Sequence, residues 1–244
     1  MNDISVILNV YKRSYTLKQQ IESILNQSVE IKPENIHIWY NTPEDGRGSE
    51  QYFPDISGIK TYWCNHNTKF FGRFLIPLLC KTEYIAMFDD DTIPQKDWFR
   101  NCLDTMKTNE GILGGSGILT NGIKYNPHQK VGWNGIQSDE IIEVDLVGHA
   151  WFFKQKWTHF LWDEPPVSWD NGEDIMFSYV LQKQGIKTFV PPHPTSNVNL
   201  WCTARESGMK LGTDENSSWL KTSHNGQRDD IVIELKKRGW KTIK

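Results

Sequence analysis

The chain has 244 residues and a mass of 28.4 kDa, with 27 Lys plus Arg against 30 Asp plus Glu and a formal charge of -3. At 38% apolar and 23% charged residues it can build a substantial core, which excludes global disorder, and its near-neutral balance excludes a general attraction to nucleic acid or anionic membrane. The length fits one domain, and the 11 Trp, 8 Tyr and 11 Phe lean only slightly toward a carbohydrate or nucleotide ligand.

The opening Ile4 to Val10 is an apolar run that suits a buried strand. It has no basic region before it and carries Asp3, so it does not read as a signal peptide. Leu17, Ile21, Ile24 and Leu25 then fall on one helical face, with Lys18, Gln19 and Glu22 opposite. Asn35 to Tyr40 predicts a second strand, Asn41 to Gly48 a turn, and Ile59 to Trp63 a third strand. Phe71 to Cys80 is apolar and helical, shortened or kinked by Pro77. Tyr84 to Phe88 is a strand running into Asp89-Asp90-Asp91, and Lys96 to Thr108 is a helix. This alternation predicts an α/β domain with a mainly parallel sheet.

The second half alternates less. Ile112 to Leu119 is Gly-rich, Lys130 to Ile136 is turn-rich, and Ile141 to Phe153 is an extended apolar stretch. Asp174 to Gln184 predicts a helix ended by Gly185, Lys187 to Val190 a strand, and Asp230 to Arg238 a last helix. Pro194 to Ser223 has little periodicity and reads as a mobile loop. Cys64, Cys80, Cys102 and Cys202 form no C-x-x-C pair and read as buried thiols. With neither a leader nor a run of roughly 20 apolar residues, the expectation is a cytoplasmic protein with no transmembrane segment; peripheral membrane association stays open.

Chemistry concentrates in two acidic groups. Asp89, Asp90 and Asp91 stand at the carboxyl end of a strand, where open α/β sheets gather ligands. Three adjacent carboxylates repel one another and call for a counter-charge, a divalent cation being the simplest; the plainer alternative is an acidic turn before the next helix. Strand alternation aims Asp89 and Asp91 the same way. Glu173 and Asp174 open a helix, where a carboxylate serves as base, acceptor-positioning group or nucleophile, or simply caps free backbone N–H groups.

Together with Ser5 to Arg13, five ordered blocks carry a resemblance: Tyr11-Lys12-Arg13, Phe71-Gly72-Arg73-Phe74, Phe88-Asp89-Asp90-Asp91-Thr92, Glu173-Asp174-Ile175 and His224-Asn225-Gly226-Gln227-Arg228. The chain resembles the exostosin-like glycosyltransferase domain (family 64), with Lys12 where that family usually has Asn and Glu173 where it has a second Asp. More distantly, the opening block is similar to family 2 glycosyltransferases, which share the fold and invert at the sugar carbon. The resemblance implies one GT-A domain over 1–244, a Rossmann-like nucleotide-sugar fold with a central mainly parallel mixed sheet flanked by helices. Its first half, 1–110, would bind nucleotide and 111–244 the acceptor.

The resemblance further implies a nucleotide-diphosphate-sugar donor, most often a uridine one, a glycan or other hydroxyl acceptor, and Mn²⁺ or Mg²⁺. Asp91 and Asp89 would take the metal. Asp89 and Asp90 would contact ribose or donor sugar, while Asn9, Tyr11, Arg13 and Arg73 shape the nucleotide pocket. Asp174 would sit beside the reacting carbon and Arg228 at the diphosphate, with His224 nearby. Glu173, His149 and Trp151 would lie on the acceptor side. Family 64 members retain configuration, which makes retention the expectation and inversion the alternative. A sugar nucleotidyltransferase and a non-catalytic glycan-binding module are the other competing classes.

Smaller signals stay open. Gly114-Gly115-Ser116-Gly117 could let backbone approach a sugar or form a flexible loop. Trp133, Trp162, Trp169, Trp201 and Trp219 could stack on sugars or pack the core, and His193 sits on an exposed-looking turn with no assigned role.

Overall fold

A computed structural model describes residues 3–43, 56–214, 217–220 and 223–244. The first strand, β1 (Ile4–Val10), is buried on both faces, as a continuous apolar run must be when strands flank it on either side. A short 3-10 turn leads into α1 (Leu17–Leu25), which packs Leu17, Ile21 and Ile24 inward. Then come β2 (Ile36–Asn41) and β3 (Lys60–Cys64). The predicted turn lies mostly outside the described residues, which stop at Pro43 and resume at Ile56. Gly72–Leu79 forms a 3-10 helix with Pro77 inside it. That is tighter than an α-helix, and Pro77 supplies no N–H for a helical bond.

β4 (Tyr84–Asp89) and α2 (Trp98–Thr108) follow as predicted. The Gly-rich run is two strands, β5 (Gly111–Leu113) and β6 (Ser116–Thr120), and the turn-rich stretch begins inside β7 (His128–Gly132). Its glycines serve close packing: a Cβ on Gly115 would stand 2.1 Å from the Cys202 sulfur, and one on Gly117 2.4 Å from Val190. Neither of the two uses read from the sequence, a sugar-facing backbone or a flexible loop, describes them.

The extended apolar stretch is β8 (Ile142–Glu143), β9 (Leu146–Gly148) and β10 (Trp151–Lys154). Then come α3 (Glu173–Lys183) and β11 (Lys187–Val190). α4 (Arg205–Leu211) occupies part of the segment predicted as a loop, and α5 (His224–Lys237) starts six residues earlier than its periodicity indicates.

Among the described residues, one sheet holds eight strands in the order β3-β2-β1-β4-β10-β5-β11-β8. β3, β2, β1 and β4 run parallel; β10 is antiparallel to both β4 and β5, β11 is parallel to β5, and β8 is antiparallel to β11. This is the α/β, GT-A type of arrangement, mixed and mostly parallel. The sheet crosses the 110/111 boundary, because strands from both halves of the chain are hydrogen-bonded within it. A smaller antiparallel sheet, β7-β6-β9, lies beside it. All four cysteines are free and buried, and no described helix is long and apolar enough to cross a membrane.

The predicted loop is anchored at its start. Backbone N–H groups of Gln95 and Asp97 donate to Trp201 and Asn199, and the Asn101 amide donates to Leu200 at 2.9 Å. Trp201, Cys202 and Thr203 are buried. His193, read as exposed, is 1% exposed between Trp98 and Trp201, and its Nδ1 lies 2.8 Å from the Pro191 carbonyl. Burial lowers its pKa to about 4.

A histidine lowered in the fold binds fewer protons than the unfolded chain between its two pKa values, so it loses stability as pH falls. From a pKa of about 4, against ~6.5 unfolded, the loss between pH 7 and pH 5 is about 2 kcal/mol. Urea unfolding of the native chain and of His193→Gln at both pH values should show the variant losing about 2 kcal/mol less. Identical pH dependence would mean that His193 is protonated or solvated in the native state.

Candidate active site

The parallel strands β1 and β4 end side by side, with Asn9 in register with Asp89. A cavity of about 460 Å³ opens there. Its walls include Asn9, Tyr11, Arg13, Arg73, Asp89, Asp90, Asp91, His149, Trp151, Glu173, Asp174, His224 and Arg228. Every residue assigned from the sequence to catalysis, donor, acceptor or metal therefore reaches one cleft, though not always in the expected posture.

Asp90 is 5% exposed, and its carboxylate is taken up by protein. Oδ2 accepts the backbone N–H groups of Tyr11, Lys12 and Arg13 at 3.1, 3.3 and 3.2 Å, and Oδ1 accepts Arg13 at 2.9 Å. It holds the loop after β1 instead of presenting itself to ribose. Arg13 forks onto Asp214 at 2.8 and 2.5 Å and donates to Ser217 at 3.1 Å. It thereby ties the segment after α4 to the acid block. Burial alone would lower its pKa, but Asp214, Asp90 and Asp91 raise it, so the charge is locked in. Gln20 of α1 adds two 2.7 Å bonds to the Asp89 and Thr92 carbonyls.

Asp89 and Asp91 keep oxygen capacity. Asp89 accepts Asn9 at 3.2 Å and Arg73, and Asp91 accepts Thr92 at 3.2 Å with Arg13 at 4.0 Å. The strand ends at Asp89, so the two do not point alike by alternation; the turn after the strand brings both to the cavity. Burial and then Asp89 push Asp91 up to about 6, against the pull of Arg13. A Cβ on Gly212 would lie 3.3 Å from the Asp91 carboxylate, so only a glycine passes there without crowding it.

Arg73 is 1% exposed beneath the cleft. It bridges Asp89 and Glu173, the latter at 2.8 Å, and lies 4.6 Å from the centre of the Trp151 ring. Trp151 is 2% exposed, donates to the Val147 carbonyl at 3.0 Å and serves as the platform for Arg73 at the cavity wall. Glu173 is buried, and burial followed by Asp174 pushes it up to about 7, opposed by Arg73 and Arg228.

Gly172 takes φ 83°, a conformation glycine adopts without strain, and starts α3 so that both acids lie in its first turn. Asp174 Oδ1 accepts the Ile175 N–H at 2.8 Å, and Oδ2 accepts Arg228 at 2.6 Å. Arg228, expected at a diphosphate, is paired with Asp174, contacts Asn171 at 3.3 Å and lies 4.4 Å from the Tyr125 ring centre. Gly148 leaves the side of Asp174 open, since a Cβ there would come within 3.3 Å of Oδ2. His149 and Ala150 follow with φ of 62° and 56°, backbone strain held at the cleft wall. His149 stacks on Trp133 at 5.0 Å, meets the Thr92 hydroxyl at 3.1 Å, and is lowered to about 4 by burial.

Sequence reading missed part of the wall. Asn41 ends β2 and holds the next segment through the Thr68 N–H at 2.7 Å and Asn67 at 2.8 Å; Lys69 and Phe70 line the cavity beside it. Its place at a strand end, beside those of Asn9 and Asp89, was the available signal. Ser217, Trp219 and Gln227 also line the cleft. Of the five tryptophans considered for stacking, Trp133 and Trp201 are buried, Trp162 is half-buried, and Trp169 and Trp219 are exposed.

Among the described residues, the cavity wall carries six carboxylates (Asp89, Asp90, Asp91, Asp170, Glu173, Asp174) and four cationic side chains (Arg13, Lys69, Arg73, Arg228). Such a wall repels a diphosphate unless a cation joins it. No described group of three or more His, Cys, Asp or Glu side chains is arranged to hold a metal alone. Asp89 and Asp91 fit instead the pattern in which one or two carboxylates share a hard cation with substrate phosphates.

A family model described as glycosyl transferase family 2 matches residues 5–159. The match takes in the first three sequence blocks and ends before Glu173. It agrees with the more distant of the two resemblances and gives no support to the exostosin-like one. No curated protein matches the chain.

Asp90→Ala would leave three backbone N–H groups and one edge of Arg13 without an acceptor. We expect a loss of about 3–5 kcal/mol in urea unfolding. A loss under about 1 kcal/mol would show the loop to be held by other contacts.

Proposed function

The chain belongs to glycosyl transferase family 2, and we propose that it is a cation-dependent, inverting enzyme that moves a sugar from a nucleoside diphosphate to a hydroxyl of a glycan or other acceptor. Membership carries the coarser part, a glycosyltransferase using a nucleotide sugar. The finer part rests on one cleft that holds both the acid block at the end of β4 and a separate carboxylate, Asp174 of α3. Displacement with inversion needs a base on the face of the sugar carbon opposite the leaving group, and Asp174 is the candidate for it. The retaining outcome came with the exostosin-like resemblance, which the family match does not carry.

In this reading Asp89 and Asp91 would hold Mn²⁺ or Mg²⁺, whose chemistry when bound would be to neutralise the charge that grows as the sugar–phosphate bond breaks. Asn9, Tyr11, Asn41 and Asn67 frame the nucleotide side, and a uridine diphosphate sugar is the first donor to test. Asp174 takes the acceptor proton while the new bond forms at the sugar carbon. Arg228, with Asn171 behind it, holds that carboxylate in place. Glu173 is tied to Arg73 and positions Asp174 without receiving the proton. His149, neutral at pH 7, offers a hydrogen bond between Asp91 and the acceptor side.

Nucleotide sugars should raise the melting temperature only with Mn²⁺ or Mg²⁺ present. Asp91→Ala should abolish that gain, and calorimetry showing unchanged affinity for a uridine diphosphate sugar with Mn²⁺ would count against the metal assignment. Asp174→Asn should lower kcat by about 10²–10⁴ while donor binding survives. Glu173→Gln should cost less than Asp174→Asn; the reverse order would exchange their roles. Product NMR should show the opposite anomer to the donor, and retention would overturn the inverting step. Released pyrophosphate in place of nucleoside diphosphate would point to a nucleotidyltransferase.

A further inference from the structure

Beside the main cleft lies a second hollow of about 280 Å³, whose walls include Phe71, Trp162, Glu164, Pro165, Pro166 and Trp169. The two hollows are neighbours at two places along the chain. Phe70 lines the first and Phe71 the second; Trp169 lines the second and Asp170 the first. Asp170 is in turn two residues before Gly172, where the helix bearing Asp174 begins. The second hollow therefore lies near the chain segment that leads to Asp174.

Its chemistry is particular. Trp169 is 57% exposed, although its edge-on contact with Phe71 (ring centres 5.2 Å apart, 67° between planes) fixes one side of the ring. The Trp162 indole N–H has no acceptor in the protein. Asp163 and Glu164 belong to the same wall, and Glu164 is held by Lys183 at 2.7 Å and by the Tyr179 hydroxyl at 3.4 Å. Aromatic and proline faces beside polar residues suit a ligand with an apolar ring face and hydroxyl groups along its edge. A hydrocarbon chain would leave that polar edge unused.

We propose that this hollow is an acceptor subsite that seats an internal sugar of an oligosaccharide on Trp169, while the terminal sugar presents its hydroxyl to Asp174. The proposal rests on the glycosyltransferase reading of the main cleft and narrows the acceptor to a saccharide chain longer than one ring. No covalent step occurs in the subsite itself; Trp169 binds and orients.

The test uses the full chain, Trp169→Ala and Trp169→Phe. It takes hexasaccharides of β-1,4-glucose, β-1,4-N-acetylglucosamine and α-1,4-glucose with the matching monosaccharides, and reads binding by saturation-transfer NMR. At least one hexasaccharide should bind the native chain, with its monosaccharide failing to do so. Trp169→Phe should keep most of the affinity, and Trp169→Ala should lose it by at least about tenfold while its near-ultraviolet spectrum stays native. Equal binding by Trp169→Ala, or no hexasaccharide binding to the native chain, overturns the subsite. Hydrolysis of nucleotide sugars by the native chain is measured alongside. If the donor is turned over while no hexasaccharide binds, the subsite alone falls; if no donor is turned over, the reading of the cleft falls, and the saccharide titrations still decide the subsite.

Discussion

Gathering like charge in a partly buried place is costly, and the cleft is built around that cost. Asp89, Asp90, Asp91, Glu173 and Asp174 converge from two chain segments, and burial, followed by the neighbouring carboxylates, raises the pKa of Asp91 and Glu173 against the pull of the arginines. Three buried arginines stand between the acids: Arg13 with Asp90 and Asp214, Arg73 with Asp89 and Glu173, Arg228 with Asp174. Guanidinium suits the task because it stays charged when buried and its fork meets two partners at once. Each arginine is ion-paired with protein carboxylates, and with Lys69 as the other cationic side chain of the wall against six carboxylates, the phosphates of a donor meet a net negative surface. That is the physical case for a cation at Asp89 and Asp91.

The same ion pairs explain why residues so distant in sequence belong to one site. Arg73 follows β3, Asp89 ends β4 and Glu173 opens α3, yet one guanidinium joins them. Trp151 of β10, the strand inserted antiparallel between β4 and β5, carries that guanidinium on its ring. The corner before it, Gly148-His149-Ala150, bends through two positive-φ residues to place His149 against Thr92 while leaving Asp174 open. A buried ion pair gains little net stability, because desolvation offsets attraction. Its retention here is better understood as fixing the distance between the two walls of the cleft.

How far the fold was legible follows from what kind of force made each element. β1, β4, α2 and β11 were readable because apolar period and burial coincide in them. The Gly-rich run hid β5 and β6, since glycine there serves contacts with Cys202 and Val190 that no local pattern encodes. The start of α5 was missed because His224 to Asp229 is polar, and that turn is placed by Arg228 meeting Asp174, not by hydrophobic period. His193 looked exposed between prolines, yet two distant tryptophans enclose it.

The site was legible in membership and less so in posture, for the same reason. A carboxylate at a strand end announces a site, but not which of its neighbours will claim its oxygens. Asp90 has the same side chain as Asp89 and Asp91 and sits between them; only the return of Tyr11, Lys12 and Arg13 over it decides that Asp90 holds backbone while the other two keep lone pairs. Trp151 likewise carries a part that its position alone does not announce, since its ring is the platform for Arg73. Division of labour among identical residues is thus a tertiary property. Asn41 makes the complementary point: it carries no charge to mark it, and it enters the cleft wall because β2 ends beside β1. In a parallel sheet the end of every strand adjoining the site deserves the scrutiny that its acidic end attracts.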